Sequence, residues 1–326
     1  MKVFITGGEG FIGSHVVEYF VQQGHDVTCL TYPEHKQGFL DPKLLVKRVP
    51  GDVRNAAAVK KAMQGAEWVV HMAAAMNNPE YTDDHFFSVN VEGTRNVMAA
   101  ALANGVKKVV HVSSIVAIKE DAKRVDEEHI HHAVFDGAYA RTKFLGEKAA
   151  FEYGARGLPI TFVHPTVVFG PRGYALSAFF KLHIAPRIRF RSFESTRLNM
   201  IYVKDVAKAV LLAMEKGKPG EKYIIGGEEI SLQQCLELLD KVTGTRKPTV
   251  HIPEWLLKFG SQVMTPLFSL GGFDFPVPPP QVFAMQRGSA VDDSKAKREL
   301  GLTLTPLEDG MRETVQWMKD VRYLQA

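Results

Sequence analysis

"FITGGEGFIGSH", residues 4–15, sets three glycines between a short apolar run and an amphipathic stretch. Without a Cβ atom, Gly7 permits a sharp turn, Gly10 a close approach to a phosphate, and Gly13 tight packing of the next helix on the strand. The free N–H groups and the dipole at a helix start favour a negative charge there. The stretch therefore predicts a strand–turn–helix unit that binds the pyrophosphate of a dinucleotide.

Outward from this unit, β-branched runs alternate with amphipathic helical patterns. Strands that are apolar almost throughout suit a parallel sheet covered on both faces. The first half is thus predicted to be α/β, with a Rossmann-type doubly wound parallel sheet. The expected strands are 2–6, 26–31, 44–49, 67–72, 107–114 and 159–164, and the expected helices are 11–22, 56–63 and 89–103.

After about residue 170 glycine and proline interrupt this regularity. Helices are expected there at 204–216, 231–243, 254–265 and 306–320. We predict an NAD(P)-binding Rossmann domain of residues 1–170, to which 199–226 return. A smaller, mostly helical substrate-binding region is predicted from residues 171–198 and 227–326.

Composition narrows the functional class. The 326 residues are 45% hydrophobic and 23% charged, with a net charge of +4 and no block of like charges, which does not favour a nucleic-acid partner. No apolar run reaches the length of a membrane span, and the N-terminus lacks the features of a signal peptide, so we expect a cytoplasmic protein. The apolar stretch 255–283 is expected to form a pocket wall or lid, with a membrane-surface contact as the alternative.

Two tyrosine–lysine pairs compete for a catalytic role, "YPEHK" at 32–36 and "YARTK" at 139–143. A proline follows Tyr32 and disfavours a helix there. Tyr139 and Lys143 lie in a helical pattern, so their side chains share one face. Ser114 ends the fifth predicted strand, at the sheet edge where such folds bind ligands. The sequence therefore assigns the proton relay to the second pair.

The expected chemistry is a hydride exchange with a nicotinamide and a proton exchange through Tyr139. Tyrosine normally has a pKa near 10, and we expect the ammonium group of Lys143 to lower it. Lys143 would also bind the nicotinamide ribose, and Ser114 would hold the substrate oxygen. Asn90 is expected either to orient a water behind the lysine or to make a helix cap or helix–sheet bond.

The end of the second strand bears on the choice of cofactor. Thr31 and Tyr32 stand where NAD enzymes usually carry an acid, so nothing repels a 2′-phosphate. His35 and Lys36 follow as cations that could approach one. NADP(H) is therefore predicted over NAD(H). Asp52, in "PGDVRN", is expected to bind the adenine amino group or to form a strand-end turn.

Motifs in the first two thirds of the chain together resemble the extended short-chain dehydrogenases/reductases, the superfamily of nucleotide-sugar epimerases and dihydroflavonol reductases. The matching motifs are "TGGEGFIG" (6–13), "GDV" (51–53), "HMAA" (71–74), "NVEGTRNV" (90–97), "VSS" (112–114), "YARTK", "HPTVVFGP" (164–171) and "YVKDVA" (202–207). "YIIGGEEISLQQCLELL" and "DDSKAKRELG" downstream resemble the dihydroflavonol-reductase-like branch, which includes hopanoid-associated sugar epimerases. This branch implies reduction of a ketone or aldehyde, or the reverse oxidation.

The resemblance implies further contacts. Ser114, His164 and Arg197 are expected near the substrate, although His164 stands where the family usually has arginine. The histidines of "EEHIHHAVF" (127–135) are not expected to bind a metal, and a homodimer through helices around 85–104 and 139–154 is expected. Additional cofactor contacts are expected from Phe11, Ile12, Val53, Ala73, Ala74, Pro165 and Val168.

Three functions follow, in this order. The first is an NADP(H)-dependent oxidoreductase acting on the carbonyl or alcohol of a fairly apolar small molecule. The second is an NAD-dependent nucleotide-sugar epimerase or dehydratase, favoured by the arginines at 187–197. The third is a non-enzymatic NAD(P)-binding sensor, which would not need Ser114, Tyr139 and Lys143 together.

Overall fold

The structure, a computed structural model, describes residues 1–33, 38–76, 80–118, 124–129, 135, 137–185, 189–245, 249–270 and 290–324. The chain divides into two compact units. Unit 1 comprises residues 1–168, 201–226 and 291–304, and unit 2 comprises residues 169–200, 227–290 and 305–326. The predicted division into a Rossmann domain and a substrate-binding region stays a prediction; in the structure, residues 291–304 belong to unit 1.

Unit 1 is built on a seven-stranded parallel sheet, as the apolar runs predict. Its strand order is β10–β6–β5–β4–β1–β2–β3, so the direction of strand succession reverses between β1 and β4. Ligands bind beyond the carboxyl ends of the strands at such a switch point. The strands of the described residues are β1 (Lys2–Thr6), β2 (Asp26–Thr31), β3 (Lys47–Pro50), β4 (Trp68–His71), β5 (Lys108–Val112), β6 (Ile160–Pro165), β7 (Val167–Phe169), β8 (Arg189–Arg191), β9 (Arg197–Tyr202), β10 (Lys222–Ile225), β11 (Glu228–Ser231) and β12 (Thr249–His251).

The helices of the described residues largely follow the predicted patterns. Short π-helical turns lie at Ser88–Glu92 and Ala296–Leu300, and a 3-10 turn lies at Ile115–Ala117. The α-helices are α1 (Phe11–Gln22), α2 (Ala56–Ala62), α3 (Asp83–Phe87), α4 (Gly93–Ala103), α5 (Gly137–Gly154), α6 (Tyr174–Ile184), α7 (Val203–Lys216), α8 (Leu232–Thr243), α9 (Glu254–Leu270) and α10 (Leu307–Asp320).

Burial on both faces of the sheet fixes its position in unit 1. In β1, Val3 and Ile5 pack into one core with residues of α1 and α7. Phe4 points the other way, into a second core with residues of α2 and α4. This is the two-residue alternation of a strand, and each buried side chain of this size contributes about 1.5–3 kcal/mol. A continuous apolar strand is therefore stable only between two helical layers.

Unit 2 contains α6, α8, α9 and α10 with short strand pairs. β8 pairs with β12 in parallel, and β11 pairs with β9 antiparallel. α8 begins with a capping box in which Ser231 and Gln234 exchange hydrogen bonds with main-chain N–H groups, and it ends at Gly244, where φ is +67°. The part of unit 2 that the structure describes is mostly helical. None of the helices described is long and apolar enough to cross a lipid bilayer.

Candidate active site

Glycine shapes the turn between β1 and α1. Gly7 has φ of +73°, and a Cβ atom there would lie 2.6 Å from the main-chain nitrogen of Ala73. A side chain at Gly13 would overlap the carbonyl oxygen of Gly7. At Gly10 the nearest neighbour of an added Cβ would be that same oxygen at 3.4 Å. The turn is thus closed on its inner side, and Gly10 faces open space.

This turn fits the pyrophosphate of a dinucleotide. Phe11 and Ile12 begin α1, so their N–H groups have no carbonyl partner within the helix. The first turn of α1 carries no acidic side chain. Both the orphan donors and the helix dipole therefore favour an anion at Gly10, Phe11 and Ile12.

A chain of hydrogen bonds leads from the end of β1 into the helices beside the site. The hydroxyl of Thr6 lies 2.7 Å from Nδ1 of His71, and Nε2 of His71 lies 2.9 Å from the hydroxyl of Thr94. Thr94 donates its proton to the main-chain oxygen of Asn90 at 2.7 Å. The hydroxyl of Thr94 has one proton, which it donates to Asn90. His71 must therefore donate from Nε2 to Thr94 and accept at Nδ1 from Thr6.

His71 is consequently a neutral structural group. Burial, with a smaller effect of Lys143, lowers its pKa to about 3. Its two ring nitrogens are occupied by Thr6 and Thr94. Thr6 in turn accepts from the main-chain N–H of Ala73 at 3.2 Å, which fixes the start of the loop after β4. His71 thus ties the end of β1 to α4 and to the loop after β4.

Asn90 extends the chain to α5 from the π-helical turn Ser88–Glu92. Its Oδ1 accepts from the N–H of Ala75 at 2.7 Å, and its Nδ2 donates to the carbonyl of Ala75 at 3.1 Å and to the hydroxyl of Thr142 at 3.0 Å. A Cβ atom on Gly146 would overlap the main-chain oxygen of Asn90, so only glycine allows α5 to pack this closely. Asn90 thus joins the loop after β4 to α5, and the expected water behind Lys143 stays a prediction.

Ser114 and Tyr139 meet beyond the carboxyl end of β5. Ser114 caps the 3-10 turn, with its Oγ accepting from the N–H of Val116 at 3.4 Å. Tyr139 lies in the first turn of α5 and shares a hydrogen bond with Ser114. Burial raises the pKa of Tyr139 above its ordinary value of 10.0, and the bond to Ser114 only partly opposes this. Tyr139 is therefore protonated at neutral pH.

Lys143 follows Tyr139 by four residues and is buried, with 6% of its surface exposed. Its Nζ donates to the main-chain oxygen of Val112 at 3.0 Å. Burial lowers its pKa to about 8, against the opposing charge of Glu147. We predicted that Lys143 lowers the pKa of Tyr139, and this is wrong for the protein without ligands. Burial has the largest effect on the phenol, and the ammonium group of Lys143 bonds to the main-chain oxygen of Val112.

A cation that the sequence reasoning missed lies beyond β2 and β3. Arg54 donates from Nη2 to the hydroxyl of Tyr32 at 3.3 Å and from Nε to Asp52 at 2.8 Å. Asp52 also accepts from the N–H of Arg54 at 2.8 Å. Burial raises the pKa of Asp52, but its bonds to Arg54 outweigh this and lower it overall. Asp52 is thus held by Arg54, and the signal for Arg54 was its position in the loop after β3, the strand that pairs with β2.

The other predicted cofactor contacts differ in exposure. Phe11, Ile12, Ala73, Ala74 and Val168 are partly exposed. By contrast, the predicted contacts at residues 53 and 165 are buried, which leaves mainly main-chain atoms for a ligand. The cations predicted at positions 35 and 36 lie outside the described residues. All of these contacts remain predictions.

Residues 3–226 match the NAD dependent epimerase/dehydratase family. The chain belongs to this family. The matched segment includes the glycine turn, Ser114, Tyr139 and Lys143.

Relatives of this family member carry several activities in their names. It is 32% identical to a Synechocystis sp. protein provisionally named dihydroflavonol 4-reductase, over 99% of this chain and 96% of the relative. It is 30% identical to the sterol demethylase protein B of Methylococcus capsulatus, over 98% and 99% of the two chains. A 4-hydroxy-2-methyl-3-oxo-4-farnesyl-3,4-dihydroquinoline-1-oxide ketoreductase of Stigmatella aurantiaca is 28% identical over 92% of this chain and 91% of its own.

Solved structures agree on the fold. The structure of gox2253 has a TM-score of 0.79 and 28% identity, covering 98% of both chains. The UDP-glucose 4-epimerase of Thermotoga maritima has the same TM-score of 0.79 at 24% identity, over 99% of this chain and 100% of its own. At that identity the likeness shows the fold alone. The doubly wound fold predicted from the sequence is confirmed.

Two of the predicted substrate contacts of this epimerase/dehydratase family chain, His164 and Arg197, differ in their exposure. His164 is completely buried in β6, and its Nε2 lies 2.6 Å from Oε2 of Glu147. The prediction that His164 contacts substrate is therefore corrected, because its ring is enclosed and engaged with a carboxylate. The side chain of Arg197 is 59% exposed and lies 4.0 Å from Glu229, so its contact with substrate stays a prediction.

Two further expectations concern metals and the apolar stretch. Within the described part of the chain, no group of three potential ligands is placed to hold a metal ion; residues 130–134 of the histidine-rich segment 127–135 lie outside that part. α9 exposes Trp255, Phe259 and Leu267. Because residues 271–289 lie outside the described residues, the lid and the membrane-surface interpretations of 255–283 both remain predictions.

Proposed function

We propose that this protein is an NADP(H)-dependent oxidoreductase that interconverts a ketone or aldehyde and an alcohol on a fairly apolar small molecule. The observation that carries the proposal is the hydrogen bond between Tyr139 and Ser114 at the end of β5, with the buried ammonium group of Lys143 one turn further along α5. Two hydroxyl groups and a cation in this order suit the polarisation and protonation of one substrate oxygen.

The chain's own residues would then act as follows in the reducing direction. A bound nicotinamide cofactor supplies the hydride that reaches the carbonyl carbon. Tyr139, protonated because burial raises its pKa, donates its hydroxyl proton to the carbonyl oxygen, which becomes the alcohol oxygen. Ser114 donates a hydrogen bond to the same oxygen. During the transfer, the positive charge of Lys143 would oppose the build-up of negative charge on Tyr139; in the protein without ligands burial dominates, and the pKa of Tyr139 stays raised.

The names of the relatives support an apolar substrate. They include a sterol demethylase protein, 3beta-hydroxysteroid-dehydrogenase/decarboxylases of Arabidopsis thaliana and the farnesyl-quinoline ketoreductase. Each of these names describes a largely hydrocarbon compound. We therefore place the substrate among fused-ring or isoprenoid carbonyl compounds and their alcohols.

The end of β2 supports NADP(H) over NAD(H). Thr31 and Tyr32 offer no carboxylate to repel a 2′-phosphate. Arg54 places a guanidinium group at the hydroxyl of Tyr32, 3.3 Å away. Arginine binds phosphate with two parallel N–H groups. Among the residues that the structure describes, Arg54 is therefore the best candidate to bind the 2′-phosphate.

A second function, an NAD-dependent nucleotide-sugar epimerase or dehydratase, is favoured by another relative. The chain is 25% identical to the UDP-N-acetyl-alpha-D-glucosaminuronate decarboxylase of Bacillus cytotoxicus, over 98% of both chains. Such a cycle would return the hydride to the same substrate and retain the cofactor. A non-enzymatic sensor ranks third, because it gives Ser114, Tyr139 and Lys143 no reason to be assembled.

Cofactor retention and consumption separate these functions. The purified protein is denatured and the supernatant analysed for NAD and NADP. NADPH consumption is then followed with a steroid ketone, an aryl aldehyde and UDP-glucose, with Tyr139→Phe as the control. We expect an empty site and NADPH consumption with an apolar carbonyl compound. Release of NAD, with conversion of UDP-glucose and no net cofactor consumption, would overturn the proposal.

A further inference from the structure

Glu147 lies one helical turn after Lys143 on α5, and both residues are buried in unit 1. Their exposed fractions are 3% and 6%. Residues four apart on a helix share a face, so the carboxylate and the ammonium group project from the same side of α5 toward the sheet. A buried acid this close to a proposed catalytic lysine requires an explanation, because burying a carboxylate is costly unless it is paired.

Two side chains from the sheet fix the carboxylate of Glu147. Oε2 accepts from Nε2 of His164 on β6 at 2.6 Å, and Oε1 lies 3.0 Å from Nζ of Lys222 on β10. Burial raises the pKa of Glu147, but His164 and then Lys222 outweigh it, and the pKa is lowered overall. Glu147 is therefore an anion at neutral pH, held at both oxygens.

The other groups around Lys143 do not supply a negative charge. His71 on β4 and His111 on β5 both have pKa values lowered by burial, so they are neutral. The phenol of Tyr139 is protonated, as described above. Within the described residues, Glu147 is the group whose charge favours the ammonium form of Lys143 and opposes the effect of burial.

We propose that Glu147 is a positioning residue for Lys143: its carboxylate, fixed by His164 and Lys222, keeps the lysine cationic while Tyr139 transfers its proton. The catalytic part of this inference rests on the function proposed above, whereas the charge state of Lys143 does not. His164 has accordingly a defined task in the interior of the protein, as the donor that holds Glu147 in place.

The charge state is measured directly by NMR. Protein labelled with ¹³C at the lysine ε-carbons is titrated without substrate, and the Lys143 signal is assigned from its absence in Lys143→Met. The wild-type signal should titrate with a midpoint near the lysine pKa of about 8. In Glu147→Gln we expect the midpoint to fall by roughly one pH unit or more, as for loss of a close opposite charge. Glu147→Asp, which keeps the charge, should stay close to wild type.

A second variant should shift the titration midpoint of Lys143 in the opposite direction. Lys222→Met removes a cation from Glu147 without touching Lys143, so the midpoint of Lys143 should rise. The falling limb of kcat/KM with pH should follow both midpoints. An unchanged Lys143 midpoint in folded Glu147→Gln would overturn the proposal. If circular dichroism shows that this variant does not fold, Lys222→Met decides, and no rise there overturns the proposal equally.

The titration also separates this inference from the proposed function. A protein that reduces no carbonyl compound but shows both shifts refutes only the function. A protein that reduces one, with Lys143 unmoved in the variants, refutes only the assignment of Glu147.

Discussion

Lys143 on α5 donates a hydrogen bond of 3.0 Å from Nζ to the main-chain oxygen of Val112, the last residue of β5. Ser114 follows Val112 by two residues, and Tyr139 precedes Lys143 by one turn. The bond therefore fastens the strand end that carries one hydroxyl to the helix that carries the other. The lysine aligns the candidate site through its position as well as through its charge.

Removing the phenol proton should abolish most of the turnover. Tyr139→Phe keeps the ring but loses the hydroxyl, and we expect kcat to fall by on the order of 10² or more, as is typical for general acid–base catalysis. The dissociation constant for NADPH, measured by fluorescence titration, should change little. Tyr32→Phe is the matched control and should retain nearly full kcat. A damaging Tyr32→Phe beside an active Tyr139→Phe would reverse the assignment of the relay.

The pH dependence of the reaction should show the low pKa of Lys143. The residue acts as a cation, and its pKa is lowered to about 8, so its charge is complete below that pH and lost above it. We expect kcat/KM to decline as the pH rises through 8, well below the ordinary lysine value of 10.5. Lys143→Met should be slow and lack this decline. A wild-type profile that stays flat far above pH 8 would contradict the assignment.

Cofactor preference should respond to charge at the end of β2. Thr31→Asp introduces a carboxylate that repels the 2′-phosphate, so the ratio of kcat/KM for NADPH to that for NADH should fall about tenfold or more at low salt. Arg54→Ala should weaken NADPH selectively. Lys60→Ala on α2 serves as the control for loss of a positive charge. A wild type that prefers NADH, with Arg54→Ala silent, would remove the NADP(H) assignment.

Two buried histidines on neighbouring strands should differ in their contribution to stability. The ring nitrogens of His111 have no hydrogen-bond partner among the described residues, whereas His71 bonds to Thr6 and Thr94. At pH 7, His111→Leu should be neutral or stabilising in urea unfolding. His71→Leu should lose about 1–3 kcal/mol or more, because it leaves both hydroxyl groups without their partner. Equal losses in the two variants would contradict this reading of the core.

The His111→Leu variant should also change how the free energy of unfolding depends on pH. Burial holds the pKa of His111 well below 6.5, so its neutral form contributes stability above pH 6.5 that is lost as the pH falls. His111→Leu removes this proton-linked contribution. Its free energy of unfolding should therefore decline less between pH 7 and pH 5 than that of the wild type, measured by urea titration at both values.

Local patterns predicted the elements that local physics determines. α1 runs from Phe11 to Gln22 as expected, because the glycine turn fixes its start and its apolar positions fix its buried face. The parallel sheet followed from strands that are apolar on both faces. Short strands such as β8 and β12 carry no such pattern, since three residues are too few to show an alternation.

Contacts between segments that are distant in the chain could not be predicted from the sequence. The π-helical turn at Ser88–Glu92 is tied to Ala75 and Thr142 through Asn90, and neither partner is its neighbour in the chain. The pairing of His164 with Glu147 joins β6 to α5 in the same way. The pKa of Tyr139 was misjudged because spacing predicts a shared helix face, whereas the balance of burial and charge depends on everything packed around it.

The hydrogen-bond chain from Thr6 to Thr142 has a consequence for how the protein opens. Each link is buried, so breaking one leaves a polar group without a partner, and the loss extends to the bonds on either side. The loop after β4 and α5 should then lose their amide protection in a single cooperative step. In hydrogen-exchange measurements they would behave as one foldon, even though more than 130 residues of chain separate their ends.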